Sequence, residues 1–285
     1  MKRPLGWIKA WWRAGPLGRT DLRVGIDEEG CPGCGERSFE QRQIIRDHLA
    51  ESWELSPAER QWFDQREGNF CRGCGMSRRV RMLAWTLRFF PRLKELSILH
   101  LNEVNQLSPL LGAARALVET THQPGQPWGA EIGRLSNQNL EALTFDAETF
   151  DLVVHSETLE HVFDCRRALA EIHRVLKPGG YQLYSVPVLH RRKTRQRLAK
   201  AASGKVIHLL PPSYHGLDRE FPVAWELGGD FIQSRRGLIQ GVYYDRFWRN
   251  PTVFSILERK TPAGPAPGAP NPLRSESRPS GGSRP

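Results

Sequence analysis

Residues 150–187 read FDLVVHSETLEHVFDCRRALAEIHRVLKPGGYQLYSVP, and their punctuation decides the fold. Residues 150–155 are a short apolar run of the kind that makes a strand buried on both faces of a parallel sheet. Residues 156–163 form a polar crossing, and Asp164 stands where a helix N-cap accepts from free backbone N–H groups. Beyond it Ala168, Leu169, Ile172, Val175 and Leu176 fall at i, i+1, i+4, i+7 and i+8, one apolar helical stripe. Lys177 suits the negative end of the helix dipole, and Pro178, Gly179 and Gly180 end the helix. Residues 181–186 read as a second strand. The result is a β-α-β unit with a right-handed crossover.

Around this unit the chain has 285 residues, 39% of them hydrophobic. That is room for one full α/β domain and a small second module. Its apolar runs are shorter than the roughly 20 residues that span a bilayer. Residues 1–18 lack the continuous apolar core and cleavage site of a leader, so a cytoplasmic location is expected. The net charge of +10 admits nucleic acid, an anionic membrane or phosphorylated substrates.

Four of the five cysteines form two C-x-x-C-G pairs, Cys31/Cys34 and Cys71/Cys74. Each has the shape of a zinc knuckle, and two knuckles complete a tetrahedral site with no open position, so the expected zinc is structural. Redox-active thiols or two unrelated pairs are the other readings. Residues 37–55 and 57–65 read as helices that carry the chain out and back between the knuckles. Residues 77–90 read as an amphipathic helix interrupted by Arg78, Arg79, Arg81 and Arg88. Its expected role is a hinge packing the zinc module on the main domain; solvated arginines or an RNA-facing surface are the alternatives. Residues 1–24, with Trp7, Trp11 and Trp12 among basic residues, read as a packed arm or a membrane-surface segment. The expected order is this arm, a zinc module at 25–90, the main domain at 91–260, and a disordered Pro/Gly/Ser-rich tail at 261–285.

The sequence FDLVV-x-S-x-x-LEHV-x-D, then AL-x-EIHRVLKPGG and a strand ending at Pro187, resembles class I S-adenosylmethionine-dependent methyltransferases of the type 11-like group. It matches from their fourth strand into their fifth. The resemblance implies a Rossmann-like, seven-stranded α/β sheet. Residues 96–101 are then the first strand. Most of the class follows it with a glycine-rich turn, whereas this chain has Asn102-Glu103-Val104-Asn105 and no glycine until Gly112. A subgroup with an N-E-hydrophobic-N turn and a preceding cysteine module is similar. That likeness implies Asn102 and Glu103 at the methionine end of the cofactor, Glu103 accepting from its ammonium group.

Residues 116–119 are the second strand, with Glu119 as ribose ligand because a carboxylate accepts from two hydroxyls. By the same resemblance Asn139 lies beside adenine and Leu140 packs on its ring. His155 and Ser156 stand at the carboxyl end of the fourth strand, where ligands collect in doubly wound sheets. His161 is a candidate base for an acceptor's proton, or else Glu160 and His161 only bond to backbone. His215, beside Tyr214 in the rigid loop 211–216, is a second candidate base or a structural residue. Residues 190–205 carry seven Lys or Arg and no acid; they read as a solvated face or as a surface favouring an anionic acceptor. A helix at 231–238 and strands at 239–247 and 252–258 complete the domain. Cys165 reads as a small buried residue.

The implied activity is methyl transfer by in-line displacement, aided mainly by alignment. The expected acceptor is a small molecule or glycan-type compound, phosphate-bearing among the choices, methylated on oxygen. An RNA or protein methyltransferase and a non-catalytic binding protein of the same fold are the alternatives.

Overall fold

The structure is a computed structural model, and it describes residues 19–22, 30–102, 106–216, 221–235, 237–245 and 250–260. Most of the expected arm, Glu103 with the rest of its turn, and the expected tail lie outside the described residues.

The chain begins with β1 (Arg19–Leu22), β2 (Phe39–Gln41), α1 (Asp47–Ser52), α2 (Pro57–Glu67), β3 (Asn69–Cys71) and α3 (Arg78–Leu87). Then follow β4 (Ser97–Leu101), α4 (Ser108–Leu111), β5 (Ala116–Thr121), β6 (Glu131–Ile132), β7 (Leu135–Asn137) and β8 (Phe150–Ser156). The quoted stretch continues into α5 (Cys165–Val175) and β9 (Leu176–Ser185). Three short ribbons come next: β10 (Arg195–Gln196) with β15 (Trp225–Glu226), β11 (Leu198–Lys200) with β12 (Val206–His208), and β13 (Tyr214–His215) with β14 (Phe221–Pro222). Helix α6 (Gly229–Gln233) and strands β16 (Leu238–Asp245) and β17 (Asn250–Arg259) close the domain.

The central sheet runs β1-β16-β17-β9-β8-β4-β5-β7-β6. Its seven inner strands β7, β5, β4, β8, β9, β17 and β16, numbered by chain order, stand as third, second, first, fourth, fifth, seventh and sixth. All are parallel except β17, which pairs antiparallel with both neighbours. This is the Rossmann-like methyltransferase sheet. Order reverses between β4 and β8, so the crevice for a ligand opens at their carboxyl ends.

Alternating side chains split the core into two layers. Leu99, Leu101 and Val153 pack with Ala168 and Ile172 of α5. Ile98, Leu152 and Val154 pack on the other face with Val80, Leu83, Ala84 and Leu87 of α3. Helix α3 is buried nearly all round, and Arg78, Arg79 and Arg81 turn inward, whereas Arg88 at its end is exposed. Arg78 donates to the Arg66 carbonyl at 2.7 Å, closing the end of α2. Arg81, 1% exposed, donates to the Met76 carbonyl at 2.9 Å and lies 4.3 Å from the Phe39 ring centroid.

Several expected elements differ. Residues 37–55 are not one helix: they hold β2 and the short α1, because Asp64 Oδ1 captures the backbone N–H groups of Ile44 and Ile45 at 2.8 and 2.9 Å. Helix α5 ends at Val175, and Leu176 is already extended; Lys177 pairs instead with Asp151 at 2.9 Å. Helix α6 stops at Gln233 instead of 238, and Gly237 passes so close to β17 that a Cβ there would meet the Leu257 carbonyl oxygen at 2.3 Å. The last two strands run 238–245 and 250–259.

Candidate active site

The carboxyl edge of the sheet is built from the ends of β4, β5, β7 and β8. Asn102, the first residue past β4, has φ +49°. That left-handed conformation is open to glycine and tolerated by asparagine. Its N–H donates to Thr120 Oγ1 at 3.1 Å, so the chain turns here without a glycine. Glu103 lies outside the described residues.

Glu119 is 8% exposed. Its Oε1 accepts from His100 Nδ1 at 3.1 Å and from Ser108 Oγ at 2.5 Å, and Oε2 meets the guanidinium of Arg134, whose side chain is 57% exposed. Burial holds His100 below the usual histidine range, so a neutral ring spends its one proton on the carboxylate. Asn137, which the sequence did not single out, is fully buried. Its amide donates to the carbonyls of Gln123, Gln126 and Pro127, each at 3.2 Å, and its oxygen accepts from Gln123 N–H at 2.8 Å. It ties the loop after β5 to β7. The run Asn137-Gln138-Asn139 was a visible signal, but nothing in it separated the knot from its neighbour.

Asn139 is half-buried, and its Oδ1 accepts from Glu141 N–H at 3.0 Å. Leu140 is buried in the α5 layer. His155 is fully buried; its Nε2 lies 2.9 Å from Gln182 Nε2 and its ring stacks on Tyr184 at 4.9 Å. Burial pushes its pKa down to about 3, with nearby His100 adding to the effect. Ser156 shares a 2.8 Å hydrogen bond with Ser185. The side chains of His155 and Ser156 are thus buried at the carboxyl end of β8 and bonded to β9.

Past β8 the chain turns through Glu157, at φ +51°, into a 3-10 turn, Leu159–His161. Glu160 is fully buried, and neither carboxylate oxygen receives a hydrogen bond from another residue. Burial raises its pKa to about 7. His161 Nε2 and His215 Nδ1 each lie 3.7 Å from Glu160 Oε1. The two imidazoles meet edge to face at 5.0 Å. Burial lowers both histidines, His215 the further. His161 Nδ1 donates to the Pro222 carbonyl at 2.8 Å, and Ala224 N–H donates to the Glu160 carbonyl at 2.7 Å. The β13–β14 ribbon is thereby fastened over the turn, which brings the two candidate bases together although 54 positions apart in the numbering would not suggest it.

His215 also lines a cavity of about 580 Å³ between this turn and residues 42–53. Its wall includes Trp53, Phe63, Phe70, Arg42, Arg46 and Arg79. Arg79 is paired with both Glu67 and Glu157. The basic run at 190–205 is partly internal and so is not simply a solvated face. Arg195 and Arg197 both pair with buried Glu226, Arg197 reaches the Ser52 and Pro211 carbonyls, and Arg192 donates to the Glu54 carbonyl at 2.9 Å. Cys165 Sγ donates to the Leu159 carbonyl at 3.2 Å, and burial pushes its thiol up to about 12, as suits a packing residue.

The two knuckles are brought together by pairing of β2 with β3, which sets Phe39 opposite Cys71. Gly35 and Gly75, at φ +80° and +75°, donate back to the carbonyls of Cys31 and Cys71 at 2.8 and 3.0 Å. Cys31 and Cys74 are 3.5 Å apart at sulfur, as are Cys34 and Cys71. All four are free thiols within 4.8 Å of one another. Four thiolates about 2.3 Å from one ion would lie about 3.8 Å apart, so this cluster could hold a metal.

The sheet order defines the class: a Rossmann-like methyltransferase fold. Residues 104–184, less than a third of the chain, match the model of a family described as Methyltransferase domain. The Ubiquinone/menaquinone biosynthesis C-methyltransferase UbiE of Hydrogenovibrio crunogenus is 46% identical over 74 residues, 26% of this chain and 28% of that protein. The protein of the same name from Enterobacter sp. is 40% identical over 76 residues, with the same shares. The chain spans little more than a quarter of the length of these relatives. Among solved structures, an S-adenosylmethionine dependent methyltransferase from Mesorhizobium loti is 16% identical, with 64% of this chain and 97% of that chain covered and a TM-score of 0.40. No helix among the described residues is long and apolar enough to cross a membrane.

Proposed function

We propose that this protein is an S-adenosylmethionine-dependent methyltransferase acting on an oxygen of a small-molecule or glycan-type acceptor that carries negative charge. The observation that carries the reading is the family match at residues 104–184 lying on a sheet of the methyltransferase strand order. When bound, S-adenosylmethionine supplies an electrophilic sulfonium methyl group. The residues fit it. Glu119 presents a carboxylate anchored by His100 and Ser108, the residue type that accepts from two ribose hydroxyls. Asn102 and Glu103 would serve the methionine end, Asn139 and Leu140 the adenine. His155 and Ser156 would support this edge from within the sheet.

The cavity beside His215 suits the acceptor. Trp53, Phe63 and Phe70 offer apolar faces for a sugar or aliphatic body, and Arg42 and Arg46 offer charge to a phosphate or carboxylate. His161 and His215, kept neutral by burial, are the groups to take a hydroxyl proton. The arginines of α3 and Arg197 are spent on internal partners, which takes them out of any surface that nucleic acid would meet. Cys31, Cys34, Cys71 and Cys74 would hold a structural zinc ion, and reduced thiols fit a cytoplasmic setting.

Calorimetric titration of zinc-replete protein with S-adenosylmethionine and S-adenosylhomocysteine tests the reading. Both should bind, and Glu119→Ala should remove binding with the fold intact by circular dichroism. Folded wild-type protein that binds neither would overturn the enzyme reading and leave a non-catalytic protein of this fold.

A further inference from the structure

The turn after β8 and the ribbon over it hold a group of side chains that backbone bonding does not explain. Glu160 is fully buried with both carboxylate oxygens lacking a donor from any other residue. An uncompensated carboxylate in such a place is costly. The Arg79 charge nearby favours its ionised form, but that guanidinium is paired with Glu67 and Glu157 and gives Glu160 no hydrogen bond. What does face it are two imidazole nitrogens at 3.7 Å, His161 Nε2 and His215 Nδ1.

Hydrogen-bond geometry fixes what His161 can offer. A carbonyl oxygen only accepts, so the 2.8 Å contact with Pro222 places the proton on Nδ1. In the neutral ring the lone pair of Nε2 then faces the carboxylate. Two lone pairs turned toward each other need something positive between them. A shared proton would draw the atoms to about 2.8 Å, whereas the observed 3.7 Å leaves room for an ion. An ion about 2.1 Å from each of two atoms 3.7 Å apart subtends about 120°, within small side-chain adjustments of a tetrahedral angle. His215 also turns its Nδ1 to Glu160, and its Nε2 is buried with no hydrogen-bond partner, so no acceptor in the protein fixes its tautomer. The three donor atoms lie within 4.8 Å of one another.

We propose that Glu160, His161 and His215 form a second metal site, distinct from the four cysteines, that takes zinc or another divalent first-row ion. One carboxylate and two imidazoles are a three-ligand set that leaves coordination positions open. Glu160 closes the buried side. The histidine side chains are 22% and 15% exposed, and His215 lines the cavity proposed for the acceptor. His215 is the ligand that reaches that cavity, and an ion there would bind an acceptor oxygen and make its hydroxyl more acidic, the proton leaving to water. His161 and His215 act in that case as ligands. The Pro222 carbonyl is the outer partner that fixes the ring of His161. Only this use of the ion rests on the methyltransferase reading; the site itself is read out by metal binding, so either can fail without the other.

Cobalt(II) titration of reduced, metal-stripped full-length protein, followed by absorption, separates the two sites. Thiolate ligands give an intense near-ultraviolet charge-transfer band, and a nitrogen/oxygen site gives a weak visible band without it. Two equivalents are expected, one of each spectral kind. Glu160→Gln and His215→Ala should each weaken the thiolate-free equivalent at least about 100-fold and leave the thiolate band unchanged, with thermal unfolding as the control for folding. Wild-type protein that saturates with the thiolate band alone overturns the proposal, whatever the variants do. So does a second equivalent, adding no thiolate band, that survives both substitutions.

Discussion

At Asn102 the chain leaves the first strand of the domain through φ +49°, and this angle accounts for the missing glycine. The sequence showed a turn without its usual residue; it could not show that asparagine adopts the same backbone. Asn102→Gly should leave stability intact, while Asn102→Val should cost about 1–3 kcal/mol in urea unfolding. Equal stability of the two variants would mean that the turn imposes no such demand. His155 was legible as a residue at the ligand end of its strand, but not as one closed over by Gln182 and Tyr184 of the adjoining strand. Its folded pKa of about 3 lies below the roughly 6.5 of an unfolded histidine. Between those values the unfolded chain binds a proton that the folded chain refuses. Its contribution is therefore complete above about pH 6.5 and is lost as pH falls toward 3, about 2 kcal/mol by pH 5. His155→Phe keeps a ring on Tyr184 and should flatten the dependence of unfolding free energy on pH between 5 and 6.5. An unchanged slope would assign the proton to another group.

Among the elements, α5 was legible almost to the residue because its signals are local. Asp164 caps it by accepting from the N–H groups of Arg166 and Arg167 at 2.9 and 3.0 Å, and Asp164→Ala should cost about 1 kcal/mol. The stretch before α1 misled for the opposite reason. Its apolar spacing suits a helix, but its backbone partners come from a distant element, since Asp64 on α2 holds the N–H groups of Ile44 and Ile45. Both residues line the cavity. Asp64→Ala should therefore speed hydrogen exchange at the Ile44 and Ile45 amides while leaving the α5 amides unchanged. Exchange that stays slow would show that packing alone orders this wall. Helix α3 carried a second ambiguity: a run of arginines looks the same in sequence whether solvated or buried against carbonyls, and for Arg78 and Arg81 only the ends of α2 and β3 distinguish the two.

On the scale of the whole molecule, the cysteine-bearing segment reads in sequence as a module packed on the main domain, and its side chains share core clusters with that domain. Cys31, Cys71 and Met76 share a core layer with Ile98, Leu152 and Val154 of the sheet. Ile45, Leu49, Trp53 and Phe63 pack with Leu189 beyond β9. Polar links cross the same boundary: Ser52 and Ser213 hydroxyls meet at 2.8 Å, and Arg197 reaches the Ser52 carbonyl. The C-x-x-C spacing announced the cysteine cluster, yet spacing within each knuckle says nothing of what lies under it. A metal held there would stabilise the folded chain through its own binding free energy, and the shared core would pass that stability to the sheet. Calorimetry of zinc-loaded and chelator-stripped protein should show a single transition in both, lowered on stripping by roughly 10 °C for a loss of a few kcal/mol in a chain of this size. Two separate transitions, the lower alone moving with zinc, would mean that the cysteine segment folds as its own unit and that the interface contributes little to holding it.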